Sequence, residues 1–277
     1  GGVGGGGRGR AGGGGGDAGV FEPRLTWFSD LRFRTAMAHL IDQDWIVEEI
    51  LGGAGVPAHG FRAPESTYAL QDASELAPEY DPDRALELLR EMGFEDNNND
   101  GILEDDDDAP INFTVLTNDS NRERVAIADH FAAEARNIGV DVTARAIPFD
   151  ELVSRLMSGN RWDAAIMGFA GASEPWFPSH FLLSSGMLHF IEPGQNRPRR
   201  EWEQDIDRLW QRSRQTLNEQ EQRELQRQIQ EIWARELPFI YVPYGPDYIV
   251  SRVRIGNPVR QIYDWRVLPL EYLYREE

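Results

Sequence analysis

The sequence predicts an α/β fold in which helices flank a sheet, and three observations support this. Strand-like and helix-like segments alternate from Ile111 to Phe169, and the helices between the strands end at or near Gly139 and Gly159. The apolar fraction of 40% is ordinary for a globular chain. Strands separated by helices of this length favour crossover connections within one sheet.

The elements can be placed in order from their caps, glycines and periodicity. They are helices over 30–40 and 42–51, a helix over 82–92, an acidic loop over 95–108, strands over 111–116, 140–147 and 162–169, helices over 122–138 and 150–157, and a helical hairpin over 202–237. Asp81 followed by Pro82 is the clearest start signal, because Asp caps a helix and Pro suits its first position. Ser29 or Asp30 caps the first helix and Asp42 the second. In the hairpin, Asn218 and Glu221 predict a capping box.

The two ends of the chain differ from this pattern. Residues 1–20 are mostly glycine, which has no side chain to bury, so this segment is predicted to be disordered. Residues 239–274 are strand-like, with apolar residues such as Ile240 and Val250. No apolar run is long enough to span a membrane, and no signal peptide is visible at the N-terminus.

Composition excludes several classes of function. The formal charge is −19, and all 28 basic residues are Arg, so the chain repels nucleic acid as a whole. The sequence has no Cys, which excludes disulfides, thiolate metal sites and Cys nucleophiles. No nucleophile elbow, phosphate-binding glycine loop or zinc-binding His pair is present. We therefore expect a binding protein that needs no cofactor, and not an enzyme.

The acidic loop resembles a calcium-binding loop. Counted from Asp96, the oxygen-bearing residues Asp96, Asn98, Asp100, Glu104 and Asp107 stand at positions 1, 3, 5, 9 and 12, and a glycine follows position 5. Asp at position 12 and the lack of a flanking helix pair depart from the EF-hand pattern. A structural calcium ion and a solvated acidic turn both fit this sequence.

The stretch from Gly168 to Gly186 is the candidate ligand site. It follows an apolar strand, which in an open α/β sheet directs it to the crevice beyond the carboxyl ends. Its aromatic and polar side chains suit an organic ligand. An aromatic loop that packs on its own core is the other interpretation. The candidate ligand-binding residues are Phe169, Glu174, Trp176, Phe177 and His180.

The order of several motifs resembles solute-binding protein family 5, the periplasmic oligopeptide-, dipeptide- and nickel-binding proteins. The motifs are residues 30–42 (DLRFRTAMAHLID), residues 52–57 (GGAGVP), residues 80–94 (YDPDRALELLREMGF), residues 138–140 (IGV), Trp162-Asp163 to Gly168-Phe169, Glu174-Pro175, Trp202-Glu203 and Glu236-Leu237-Pro238. The resemblance covers about residues 27–245.

This resemblance implies the type II periplasmic binding fold, of which the chain would be the C-terminal lobe, a mixed sheet flanked by helices without the N-terminal lobe. Residues 21–238 would form the ligand-binding lobe, and residues 239–277 would return to pair with the missing lobe. The resemblance also implies a role as the substrate-binding component of an ABC importer. Such a component is periplasmic or extracellular, meets the membrane only through the transporter, and delivers a peptide or a related organic solute to permease subunits.

The candidate site departs from the family in two places. Peptide-binding members usually carry Trp where Phe169 stands and an Asp near the position of Ala172. Glu174 is the first carboxylate available here, so we expect it to pair with a ligand cation, with Phe169 and Trp176 stacking on the ligand. The alternative function is a non-transport extracellular sensor or scaffold lobe with a structural calcium loop.

Overall fold

The computed structural model describes residues 23–62, 66–70, 73–159, 162–169, 178–191 and 195–245, and the short pairs 255–256 and 274–275. The α-helices in these ranges are α1 (Arg24–Ser29), α2 (Leu31–Ala38), α3 (Gln43–Trp45), α4 (Ala73–Leu76), α5 (Pro82–Glu91), α6 (Arg122–Asn137), α7 (Phe149–Ser154), α8 (Ser179–Leu182), α9 (Glu201–Gln215) and α10 (Glu219–Glu236). The strands are β1 (Asn112–Asn118), β2 (Asp141–Ile147), β3 (Ala164–Ala165), β4 (Ile255–Gly256) and β5 (Tyr274–Arg275). No helix in these ranges is long and apolar enough to cross a bilayer.

The central sheet has the order β2-β1-β3, and its strands run parallel. The alternation of strands and helices predicted over 111–169 is confirmed. The described strands of this sheet are all parallel, and the antiparallel pairing in the described residues lies outside it. The antiparallel pair β4–β5 is a separate, two-residue ladder.

The third strand is much shorter than the predicted 162–169. One reason lies at its start, where the Asp163 carboxylate accepts from the Thr114 amide at 3.0 Å and takes the place of a ladder partner. At its other end, the Ile166 carbonyl accepts from the Thr117 hydroxyl at 3.1 Å. A side chain therefore replaces the backbone ladder before Ala164, whereas after Ala165 the Ile166 amide still pairs with the backbone and only its carbonyl is bound by a side chain.

The caps predicted from sequence explain the helix bounds. Asp30, Asp42 and Asp81 each accept a backbone hydrogen bond at the start of α2, α3 and α5. Two helices that the sequence predicts to be regular continue instead as π-helical turns, over Ile46–Ile50 after α3 and Arg155–Gly159 after α7. Such turns have hydrogen bonds from residue i to i+5 and are rare, so the apolar periodicity did not indicate them.

The hairpin of α9 and α10 is confirmed, but its predicted capping box is only half formed. Asn218 accepts from the Gln220 and Glu221 amides at the start of α10. The Glu221 carboxylate does not reach back to the Asn218 amide. It accepts instead from the Thr216 hydroxyl at 2.6 Å, and Thr216 in turn accepts from the Asn218 amide at 3.1 Å. The Thr216 hydroxyl thus lies between the Asn218 amide and the Glu221 carboxylate, which would bond directly in a complete capping box.

The described chain has three hydrophobic clusters, and the smallest contains Leu116 and Ile147 of the sheet together with Leu152 and Leu156. The first lies between the sheet and helices α1, α2, α5 and α6, where Phe113 of β1 packs against Phe28, Phe33 and Phe131 at ring distances of 5.3–6.5 Å. The second, here called the hairpin core, is built from α8, α9 and α10 and includes Phe181, Trp210 and Trp233.

One arginine joins the helices of the first cluster to the hairpin. Arg34 of α2 donates to the Glu236 carbonyl at 2.8 Å and to the Leu237 carbonyl at 3.1 Å. Carbonyls at the end of a helix have no partner within it, so a guanidinium there satisfies them. The end of α10 is thereby fixed to α2.

Candidate functional site

The carboxyl ends of β1 and β3 lie side by side at one edge of the parallel sheet. β1 ends at Asn118, and the Ile166 amide just after β3 donates to the Leu116 carbonyl at 2.8 Å. Residues 166–169 therefore continue beside the end of β1. Ligands of open α/β sheets bind in the crevice beyond such an edge. The predicted ligand-facing stretch begins at this edge.

Phe169 is half-buried at the border of the hairpin core. Its ring centroid lies 5.4 Å from that of Phe181, and it stacks on Phe239 at 6.1 Å with an interplanar angle of 7°. The sequence left open whether this loop packs on its own core or contacts a ligand. One side of the Phe169 ring packs on the core, and only the remaining exposed part can meet a ligand.

His180 lies on α8 with an exposed side chain. Its carbonyl accepts from the Leu188 amide at 2.8 Å, which closes a turn around Gly186. A Cβ at Gly186 would clash with this carbonyl, so the turn requires glycine. The other three predicted ligand residues, Glu174, Trp176 and Phe177, lie outside the described residues.

Arg124 is a residue at this edge that sequence reasoning missed. It lies in the first turn of α6, and its Nη1 donates to the Asn118 Oδ1 at 2.9 Å. A Cβ at Gly168 would clash with the Arg124 Nη2 and lie 3.3 Å from its Cζ, so the guanidinium lies directly against this glycine. Burial lowers the pKa of Arg124, and the neighbouring Glu123 partly offsets this. In the sequence Arg124 is one of several arginines on an amphipathic helix, so nothing there distinguishes it from the others.

The predicted calcium loop folds into a compact turn that brings most of its predicted ligands together. Carboxylate oxygens of Asp96, Asp100 and Glu104 lie within 4.8 Å of one another, and Glu104 is buried. The Asn98 Nδ2 donates to Asp100 at 3.1 Å and to Glu104 at 2.7 Å. Gly101 takes a φ of +89°, which the sharp turn requires.

Asp107, the predicted ligand at position 12, is not part of this cluster. Its amide donates to the Asp105 Oδ1 at 3.0 Å, and the Asp108 amide donates to the Asp105 carbonyl at 2.9 Å. This second turn leads the chain away before position 12. The remaining donors, three carboxylates and the Asn98 amide, are of the oxygen-rich kind that Ca²⁺ binds, provided that the amide rotates to present its oxygen.

A cavity of about 140 Å³ lies between the segment 57–74 and α10. Phe61, Arg62, Trp233 and Tyr241 are among its lining residues, whereas Phe169 and His180 are not. Burial lowers the pKa of Arg62 to about 10, with a smaller opposing effect from Tyr68. The cavity borders the hairpin core and is separate from the predicted ligand residues that the structure describes.

Comparison with known proteins identifies the class. The family model for bacterial extracellular solute-binding proteins, family 5 Middle, matches residues 10–187. The match spans more than half of the chain, which therefore belongs to this family of extracytoplasmic binding proteins, as the resemblance predicted.

Particular relatives agree with this class. The probable ABC transporter-binding protein of Deinococcus radiodurans is 32% identical over 163 residues, which cover 57% of this chain and 27% of that protein. The oligopeptide-binding protein AppA of Bacillus subtilis is 32% identical over 149 residues, which cover 53% of this chain and 27% of AppA. Each alignment thus spans about a quarter of the relative's length.

Solved structures confirm the predicted fold class. The structure of Bacillus subtilis AppA in complex with a nonapeptide superposes with a TM-score of 0.72 at 21% identity, covering 91% of this chain and 49% of that one. A mannohexaose-bound periplasmic oligopeptide-binding protein of Thermotoga maritima gives a TM-score of 0.66 at 20% identity, covering 78% and 41%. At these identities the likeness shows the fold alone.

Proposed function

We propose that the chain is the ligand-binding lobe of the substrate-binding component of an ABC importer, and that it takes up a peptide or a related organic solute outside the cytoplasm. The observation that carries this proposal is the family match over residues 10–187. The Deinococcus radiodurans relative, named a probable ABC transporter-binding protein, supports the link to an importer. The receptor meets the membrane only through the permease subunits of its transporter.

Binding works by closure of two lobes around the solute. The carboxyl edge of the sheet, with Phe169 and Arg124, forms this lobe's side of the cleft. A ligand that contacts both lobes binds the closed state more tightly than the open one and shifts the population toward it. The permease then recognises the closed shape. Each step is a binding event, and none requires a covalent change in the solute.

The proposed ligand contacts are those predicted from the sequence. Glu174 pairs with a ligand cation, Phe169 and Trp176 stack on the ligand, and Phe177 and His180 border it. AppA in complex with a nonapeptide supports a peptide as the solute. The mannohexaose complex of the Thermotoga maritima protein shows that a similar fold also accommodates a sugar, so the solute must be found by experiment.

The proposal is tested by isothermal titration of the full-length gene product with peptides that carry a free N-terminal ammonium. Glu174→Ala should weaken binding more than tenfold, because it removes the partner of the ligand cation. N-acetylated copies of the same peptides should bind the variant and the unmodified protein alike.

The matched control is Glu201→Ala, an exposed carboxylate on α9. The affinity of this variant for the peptides should equal that of the unmodified protein. If Glu174→Ala also binds with unchanged affinity, Glu174 has no such role. If no peptide binds the unmodified protein, peptide transport itself is rejected.

A further inference from the structure

The cavity between the segment 57–74 and α10 has room for one small organic molecule. Its volume is about 140 Å³, and an apolar cavity of about 150 Å³ accommodates one benzene molecule. Three aromatic side chains line it, those of Phe61, Trp233 and Tyr241. The Trp233 ring meets the Phe61 ring edge-on at 6.1 Å, so these two parts of the wall hold each other in place. A ligand of this cavity is therefore about the size of a single aromatic ring.

Gln230 of α10 brings a buried amide oxygen to the cavity wall. Its Nε2 donates to the Tyr68 carbonyl at 2.8 Å and to the Gln226 carbonyl at 3.0 Å. Carbonyls only accept, so these two contacts fix the amide with its nitrogen toward them and its oxygen on the other side. Gln230 is only 6% exposed, and no residue in the described part of the chain donates to its Oε1. A buried acceptor without a donor costs free energy, which a ligand that donates to it recovers.

Tyr241 adds a donor to the same wall. Its hydroxyl oxygen accepts from the Trp233 Nε1 at 2.8 Å, and within the described ranges no group accepts its hydrogen. Burial raises the pKa of Tyr241, so the hydroxyl stays protonated at neutral pH. His59 also lines the cavity, and its buried Nδ1 has no hydrogen-bond partner among the described residues. The cavity thus combines an aromatic wall with a donor and an acceptor.

The charge near the cavity limits the kind of ligand. The Arg62 Nη2 donates to the Gln226 Oε1 at 3.0 Å, and its Cζ lies 5.6 and 5.7 Å from the ring centroids of Phe61 and Tyr68. A cation held at the wall disfavours a positively charged ligand, whereas the Gln230 oxygen repels the oxygens of an anion. A neutral molecule with a hydroxyl group suits both, because a hydroxyl can donate to this oxygen.

We propose that this cavity is a second binding site, separate from the ligand cleft, and that it takes a small neutral aromatic molecule of the phenol class. The ring packs among Phe61, Trp233 and Tyr241, and the hydroxyl donates to the Gln230 Oε1. The site goes beyond the proposed function, because it does not depend on which solute the cleft binds. A bound molecule joins the segment 57–74 to α10, so binding should stabilise the folded lobe.

The experiment compares phenol with toluene, which has about the same size but no hydroxyl. Binding to the full-length gene product is measured by titration and by the rise in Tm. An apolar cavity favours toluene, because the phenol hydroxyl loses its hydrogen bonds to water there. The unmodified protein should instead bind phenol at least about fivefold more tightly, because the hydroxyl regains a partner. Gln230→Met keeps the length of the side chain without the amide and should lose this preference.

Three further variants locate the site, and the unliganded Tm of each shows whether it folds. Ala234→Leu extends a lining residue of α10 into the cavity and should abolish the binding of both probes. Gln220→Met is the matched control, since this glutamine is exposed on the same helix and should not affect phenol binding. Glu174→Ala alters the proposed cleft and should also leave phenol binding unchanged, which separates failure of the cleft from failure of this site.

Each outcome decides the proposal. If neither probe binds, or if toluene binds as tightly as phenol, the cavity is not a site for a hydroxylated ring, even where peptides bind the cleft. If Gln230→Met keeps the preference or Ala234→Leu keeps phenol binding, phenol binds elsewhere and the proposal is overturned. Loss of the preference in the first variant and of binding in the second supports the site. If Gln230→Met does not fold, Ala234→Leu and the preference of the unmodified protein decide between these results.

Discussion

A buried polar cluster shows how single residues hold the hairpin core. Glu203 of α9 is fully buried and accepts from the Arg199 amide at 2.7 Å, from the Arg200 Nη1 at 2.7 Å and from His189 at 3.3 Å. The other ring nitrogen of His189 lies 2.9 Å from the Phe181 carbonyl. Burial raises the pKa of Glu203, but these hydrogen bonds outweigh it and hold the pKa below its usual value.

We expect Glu203→Gln to lower the free energy of unfolding by about 3 kcal/mol, because it leaves buried donors without their charged partner. The sign of the pH effect follows from the lowered pKa. The stabilisation is present above the unfolded-state pKa of a Glu side chain, about 4.3, and is lost as the pH falls through the lower pKa that Glu203 has in the folded state. Urea unfolding at pH 7 and pH 3.5 measures both effects.

Glu201→Gln is the control, since this carboxylate is exposed in the same first turn of α9. Its effect should stay within about 0.5 kcal/mol. The idea is wrong if the difference in stability between the Glu203→Gln variant and the unmodified protein is the same at both pH values.

Sequence reasoning identifies residue types but not which copies are buried. It found no zinc-binding His pair, yet it could not show that the His189 ring is buried against Glu203, because the two residues are fourteen positions apart. Arg124 was missed for the same reason. Its environment is created by Asn118 at the end of β1 and by Gly168 after β3, which only the sheet brings together.

At the scale of elements, the sequence predicted best what local chemistry decides. The caps at Asp30, Asp42 and Asp81 were right because a cap depends on residues two or three positions away. The extent of β3 was wrong because Asp163 and Thr117 replace its ladder partners from across the sheet. The Asn218 cap was right, while the role of Glu221 depended on where Thr216 came to lie.

The acidic loop gives a prediction at this scale. We expect millimolar Ca²⁺ to raise the Tm relative to EDTA, and Asp100→Asn to abolish the rise. A ligand at a hundred times its Kd stabilises by about 2.7 kcal/mol. Asp107→Asn should keep the rise, because Asp107 is not part of the carboxylate cluster. Equal Tm values in Ca²⁺ and in EDTA would show that hydrogen bonds alone, such as those of Asn98, hold this turn.

At the scale of the whole molecule, the segment after Pro238 links the first hydrophobic cluster to the hairpin core. Phe239 and Tyr241 pack on the hairpin core, and Val242 packs on the first cluster. The strand predicted from 239 onward is not formed over 239–245, where a single antiparallel bridge joins Tyr244 to Val56. Residues 246–254 and 257–273 of the predicted tail lie outside the described residues. The alternation of apolar residues predicted a strand, but over 239–245 these residues pack against two different clusters.

This arrangement predicts that the segment stabilises the lobe, even though the sequence placed a boundary at residue 238. Phe239→Ala should lower the free energy of unfolding by about 2–4 kcal/mol, because its ring stacks on Phe169 and meets Trp233 edge-on at 5.3 Å. Ile240→Ala is the matched control, since this neighbour is 36% exposed and should cost less than about 1 kcal/mol.

Hydrogen exchange tests the same arrangement without mutation. The Tyr244 amide donates to the Val56 carbonyl at 2.8 Å and the Val56 amide to the Tyr244 carbonyl at 3.0 Å, so both amides should exchange slowly. If Phe239→Ala costs no more than Ile240→Ala and both amides exchange fast, residues 239–245 are not part of the lobe. The opposite result means that the folded unit extends to residue 245, because a half-buried aromatic ring and a paired amide both require the segment to be docked in the native state.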